Sequence, residues 1–192
     1  QELQQLYLVF RYNQRVLLST YDLNNSDRIK RNRPHFENFD DRTELNALVV
    51  SLISAGKTLI DSITTCVQTS AKKPEISASF KKFLSQTYDG SFSYRLLTRL
   101  RDFSQHGHLP VSVDEGRVCF DIAQIMNTPH FNHNKSLRQE MQRFVDELIV
   151  MNKTRPLHVF TFAMAEYTVL VYKVYTEFYA CLEPIFSEIN SG

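Results

Sequence analysis

The sequence predicts an all-α fold, an up-and-down helical bundle with a small accessory β-hairpin, and three observations carry that prediction. Apolar residues recur at helical spacing through several long segments. Glycine and proline are scarce, at 5 and 6 in 192 residues, which leaves little room for long loops. The alternating pattern of a strand shows around a single glycine turn. With 43% hydrophobic residues, a chain of this length buries a sizeable core in one domain.

Leu3, Leu6, Tyr7, Phe10, Val16, Leu17 and Tyr21 predict a helix over the first twenty residues, ended by Asn24, Asn25 and Ser26. Arg28, Lys30, Arg31 and Arg33 before Pro34 read as a mobile basic loop, either simply solvated or in contact with phosphate. Residues 1–40 are on this reading a peripheral helix and loop, and 41–189 the core bundle. Asp41 and Glu44 form a capping box. The apolar face from Leu45, Leu48, Val49, Leu52 and Ile53 to Leu59, Ile60 and Ile63 then predicts a helix to about Val67. A shorter helix holds Ile76, Phe80, Phe83 and Leu84. Asp89, Gly90 and Ser91 supply a turn and an N-cap for a helix from Phe92 to His106, which Gly107 and Pro110 stop. Val111–Val113 and Arg117–Phe120 flank Asp114-Glu115-Gly116 as a hairpin. Ser136 and Gln139 open another helix with Leu137, Met141, Phe144, Val145, Leu148 and Ile149 inward, and Pro156 opens the last one. The Phe and Tyr residues of that last helix suit both core packing and a dimer surface.

Lys and Arg number 22 against 21 acidic residues, so no global field draws the chain to nucleic acid or an anionic membrane, and any RNA contact must be local. The longest apolar stretch, Leu157 to Tyr175, is broken by His158, Glu166 and Lys173, so it reads as a core helix and no membrane partner is expected. Cys66, Cys119 and Cys181 are odd in number and widely spaced, against a disulfide framework or structural zinc. The first residues lack a basic start and apolar core, and the expected location is cytoplasmic.

Arg95, Arg99, Asp102 and His106 are spaced by four, three and four, which sets them along one stripe of an ideal helix beside the apolar arc of Phe92, Leu96, Leu97, Leu100 and Phe103. A histidine near a helix C-terminus meets partly negative carbonyls that favour its cation, which keeps it titratable near neutral pH. The bland alternative is a solvated face on which Arg99 and Asp102 make a weak ion pair and His106 caps the helix. His106-x-His108 and His130-x2-His133 could hold a metal, but no carboxylate or cysteine stands at matching spacing, so none is expected. Lys72-Lys73 and Lys81-Lys82 with Arg95 and Arg99 could form a phosphate track. Tyr88, Phe92 and Phe103, at helical spacing, read as core before base-stacking surfaces.

Arg101, polar Asp102, three further residues and His106 reproduce an Arg-polar-x-x-x-His pattern, flanked by Leu100, Phe103, Gln105 and Pro110. In this the chain resembles the bacterial helical proteins of the HEPN superfamily, over about Asp41 to Ile189. The resemblance implies a helical bundle that pairs as a two-fold homodimer, and a metal-independent, cofactor-free endoribonuclease or RNA-binding protein of toxin–antitoxin, stress or phage-defence systems. It implies His106 as general acid or base, Arg101 as the cation at the scissile phosphate and Asp102 as the group that orients them. Arg95, Arg99 and Gln105 would contact the RNA backbone. Residues five apart stand about 140° apart on a helix, so bringing Arg101 to His106 requires long side chains, local distortion or a second protomer. The alternative is a non-catalytic interaction or immunity protein that docks a protein partner such as a cognate antitoxin.

Overall fold

The computed structural model describes residues 1–30, 39–70, 74–105, 108–114, 117–128, 138–139, 141–143, 145–146, 150 and 157–190. Among them the chain forms α1 (Glu2–Lys30), α2 (Phe39–Ser70), α3 (Pro74–Asp89), α4 (Phe92–Gln105), β1 (Ser112–Asp114), β2 (Arg117–Asp121), α5 (Ile122–Met126), β3 (Leu157–Val159) and α6 (Phe160–Asn190). Residues 138–139, 141–143 and 145–146 are also helical, with Met141 and Val145 buried as the inward stripe requires. The fold is all-α with a small accessory sheet.

The bundle is centred on α2, whose Leu45, Val49, Leu52, Ile53, Leu59 and Ile63 are fully buried. Among the described helices α2 is long and apolar enough to cross a bilayer, but that face is the one the bundle covers. It starts at Phe39, ahead of the Asp41 capping box, and ends at Ser70. α1 departs further from expectation. It runs through Asn24, Asn25 and Ser26 to Lys30, because these residues disfavour a helix only weakly and no glycine or proline interrupts the backbone before Pro34. Arg28 and Lys30 therefore belong to a helix, while Arg31 and Arg33 lie outside the described residues. Nor is α1 peripheral: Phe10 and Leu17 are fully buried in the core.

Ring pairs join α1 to α6 in antiparallel order. Tyr7 stacks on Tyr175 with centroids 4.0 Å apart, Phe10 meets Tyr167 edge-on at 6.4 Å, and Tyr21 stacks on Phe160 at 5.3 Å. Tyr167 is the hub. It also lies 5.7 Å from Tyr94 of α4, and its hydroxyl donates to the Ile53 carbonyl at 3.2 Å. Gly56 makes this approach possible, since a Cβ there would stand 2.5 Å from the Tyr167 hydroxyl.

The Ser91 N-cap forms as expected, accepting from the Tyr94 amide at 3.1 Å. The hairpin gains a strand: β2 pairs antiparallel with β1 (Val113 opposite Val118) and, on its other edge, with β3 (Phe120 opposite His158). Leu157–Val159 is thus strand where the sequence reads as helix, because the free edge of β2 offers backbone partners and α6 begins only at Phe160. α5, a single short turn, is capped by Asp121, whose carboxylate accepts from the Gln124 amide at 2.9 Å. The sheet closes the end of the bundle where α2 begins, α4 ends and α6 begins.

Candidate functional site

Leu96, Leu97, Leu100 and Phe103 bury one side of α4 and so fix which side chains face outward. The predicted polar ridge is present among the described residues: Arg95, Arg99 and Asp102 are half-buried along one stripe. Their surroundings differ. Arg95 is a helix cap, its guanidinium donating to the carbonyls of Tyr88 (3.3 Å) and Asp89 at the C-terminus of α3, a structural task that the sequence reading did not give it. Arg99 has its Nε buried with no hydrogen-bond partner among the described residues.

Arg101 lies off the ridge, about 100° round α4 from Asp102 and between the buried Tyr94 and Leu97. Its Nε is likewise buried and unpartnered among the described residues, while the side chain as a whole is 30% exposed. Among the described residues it pairs with Asp102 at 3.6 Å, itself 43% exposed, a loose pair between sequence neighbours that leaves the side chain partly open to solvent. Arg101 also acts inward. The Tyr167 hydroxyl is pushed far above the ordinary tyrosine range by burial, then by Tyr94, and the Arg101 charge partly opposes that rise. The side chain of Gln105 and all of His106 lie outside the described residues, as do His130 and His133.

Beyond α4 the chain returns along the start of α2 and builds a second polar feature, a cavity of about 260 Å³. Arg42, His108, Ser112, Gln124 and Thr128 supply its polar wall, and Phe103 supplies part of its apolar wall. The His108 ring stacks on Phe103 at 4.7 Å. Buried Asn46 positions this segment: its amide donates to the Arg42 and Val111 carbonyls (2.9 and 3.3 Å), and its oxygen accepts from the Val111 amide at 2.8 Å. Ser112 donates to the Gln124 amide oxygen at 3.3 Å across the cavity wall. A guanidinium and an imidazole around one small cleft can bind a phosphate oxygen and exchange a proton with it.

Arg42 did not stand out in the sequence because nothing local marks it, and His108 stood out only as a metal-ligand candidate. What joins them is the contact of Asn46 with Val111, a long-range bond no spacing rule contains. Among the described residues no group of three His, Cys, Asp or Glu side chains gathers to hold a metal. Cys181, set beside Glu177 with Sγ 3.7 Å from its carboxylate, has its thiol pushed up by burial and then by that charge, which disfavours the nucleophilic thiolate. No family model, curated protein or solved structure matches the chain.

Proposed function

We propose that this chain is a metal-independent RNA-cleaving protein of the HEPN kind, working through Arg101 and His106, with RNA as its partner. The observation that carries the reading is the state of Arg101: a guanidinium partly anchored in the bundle, still open to solvent, and held only loosely by Asp102 at 3.6 Å. An arginine so placed keeps its charge for an anion while its stem stays fixed. Five positions on, His106 supplies the proton-transfer group that such a reaction needs.

In the proposed reaction the 2′-oxygen of RNA attacks the adjacent phosphorus as a base takes its proton, and the 5′-oxygen leaves with a proton from an acid. The products are a 2′,3′-cyclic phosphate and a 5′-hydroxyl. Arg101 stabilises the negative charge that develops on the non-bridging oxygens. His106 serves as acid or base, and a second proton-transfer group at the site supplies the partner role. The Arg42 and His108 cavity supports the reading as a place for a neighbouring phosphate of the same strand.

The test is incubation of purified protein with single-stranded RNA in excess chelator, read by fragments ending in cyclic phosphate. Arg101→Ala and His106→Ala abolish cleavage with an unchanged circular dichroism spectrum, whereas Arg42→Ala leaves chemistry intact and weakens RNA binding, more so at low salt. Cleavage undiminished in His106→Ala overturns the assignment. RNA left whole at every protein concentration, with a copurifying protein lost on changing Arg99 and Asp102, moves the α4 ridge to a docking role against a cognate antitoxin or another protein.

A further inference from the structure

We infer that two copies of this chain pair through the outer face of α6, the two α6 helices lying antiparallel. Phe162, Ala165, Val169, Tyr172, Thr176 and Tyr179 follow one another at intervals of three, four, three, four and three, the repeat of a two-stranded coiled-coil seam. All are exposed, with Phe162 at 59%, Val169 at 63%, Tyr172 at 49% and Tyr179 at 45%. The bundle already takes a different stripe of α6, through Ala163, Met164, Tyr167, Val171, Val174 and Phe178. A helix satisfied inside needs no second apolar stripe in water, and this one runs about 26 Å along the surface.

The stripe supplies the apolar centre of such a pairing, with the flanks of α6 and α1 as its rim. Aromatic side chains bury about 150–250 Å² each when covered. The open parts of these rings and of Val169 continue onto α1 at Leu18, which shares a groove with Ala165 and Val169. One side of a standard interface covers about 800 Å². Between α1 and α6 an apolar groove of about 300 Å³, floored by Leu52 and walled by Leu18, Ala165 and Val169, gives an incoming ring a place to bury.

Charge selects the occupant and its direction. Centring the crossing between Val169 and Tyr172 sets Val169 against Tyr172 of the second copy, Ala165 against Thr176, and Phe162 against Tyr179. In that register Glu166 comes within about 3 Å along the axis of Lys173 of the second copy, and the two-fold axis repeats the pair. Both residues flank the seam on the same side, where antiparallel helices exchange ion pairs. Within one copy they are two turns, about 10 Å, apart and cannot meet. Among the described residues neither joins an ion pair, and Lys173 is held beside the seam over the Phe83 ring at 5.6 Å. A parallel pairing faces these charges with Thr161 and Thr168 and forms neither bond.

Arg42, Arg101 and His108 are not on this seam, so the pairing and the RNA reading can fail separately. It also differs from a dimer joined at the α4 motif. Sedimentation equilibrium at neutral pH and low salt tests it. The unaltered protein is a dimer. Glu166→Lys and Lys173→Glu each raise the dissociation constant by about tenfold or more, and the double reversal Glu166→Lys with Lys173→Glu restores it. Val169→Glu gives a folded monomer by circular dichroism. A monomeric parent protein, a dimer indifferent to Val169→Glu, or single reversals that weaken it without restoration in the double variant each overturn the inference.

Discussion

Gly56 sits in the middle of α2, where glycine ordinarily weakens a helix and alanine strengthens it by about 0.5–1 kcal/mol. Here the sign reverses, because a methyl group would meet the Tyr167 hydroxyl at 2.5 Å and the Phe10 ring at 3.2 Å. Gly56→Ala destabilises by about 1–3 kcal/mol, visible as a lower melting temperature at about 2–4 °C per kcal/mol. Gly56→Ala combined with Tyr167→Phe loses less than the two single changes added, since removing the hydroxyl removes the closest of the contacts and leaves the Tyr167 and Phe10 rings at 3.1 and 3.2 Å. The sequence shows the glycine but not its reason, which lies on a helix far along the chain. The site divides the same way. Arg99 and Asp102 are legible on the ridge because helical spacing places them there, and the cap made by Arg95 is not, because it depends on where α3 ends.

Asn46 ties α2 to the strand that follows α4, and it is the element-scale device that shapes the cavity beside the motif. Asn46→Leu keeps the volume but leaves the buried Val111 amide and carbonyl without partners, at about 1–3 kcal/mol for each unsatisfied group. Thermal unfolding measures that loss. Nuclear magnetic resonance of the His108 ring in the same variant reports a shifted environment as the segment moves off Phe103. Elements whose apolar faces are long, α2, α3 and α4, are readable from periodicity, and the hairpin from its alternation around a glycine turn, although α2 starts ahead of the Asp41 capping box. The end of α1 was misjudged because two asparagines and a serine discourage a helix without forbidding it when neighbouring helices supply burial. β3 was missed because three residues carry too little period, and their conformation is decided by the open edge of β2.

At the scale of the whole molecule, the all-α class followed from composition and period, while the position of α1 within the core did not, since its burial depends on rings supplied by α6. Those rings set an alkaline limit. Tyr94 and Tyr167 are both raised far above the ordinary tyrosine value of 10.0, chiefly by burial, so the folded state holds protons that the unfolded chain releases. Their contribution is complete below pH 10.0 and is lost progressively as pH rises beyond it. The melting temperature therefore drops above that pH, and Tyr167→Phe, though less stable at neutrality, shows a shallower drop. The antiparallel ring pairs between α1 and α6 also bear on synthesis. The ribosome releases α1 long before α6, so Tyr7 and Tyr21 lack their ring partners Tyr175 and Phe160 until the last helix emerges. Through that interval the nascent chain presents a greasy strip that a chaperone can hold, and the bundle closes as a late, long-range event.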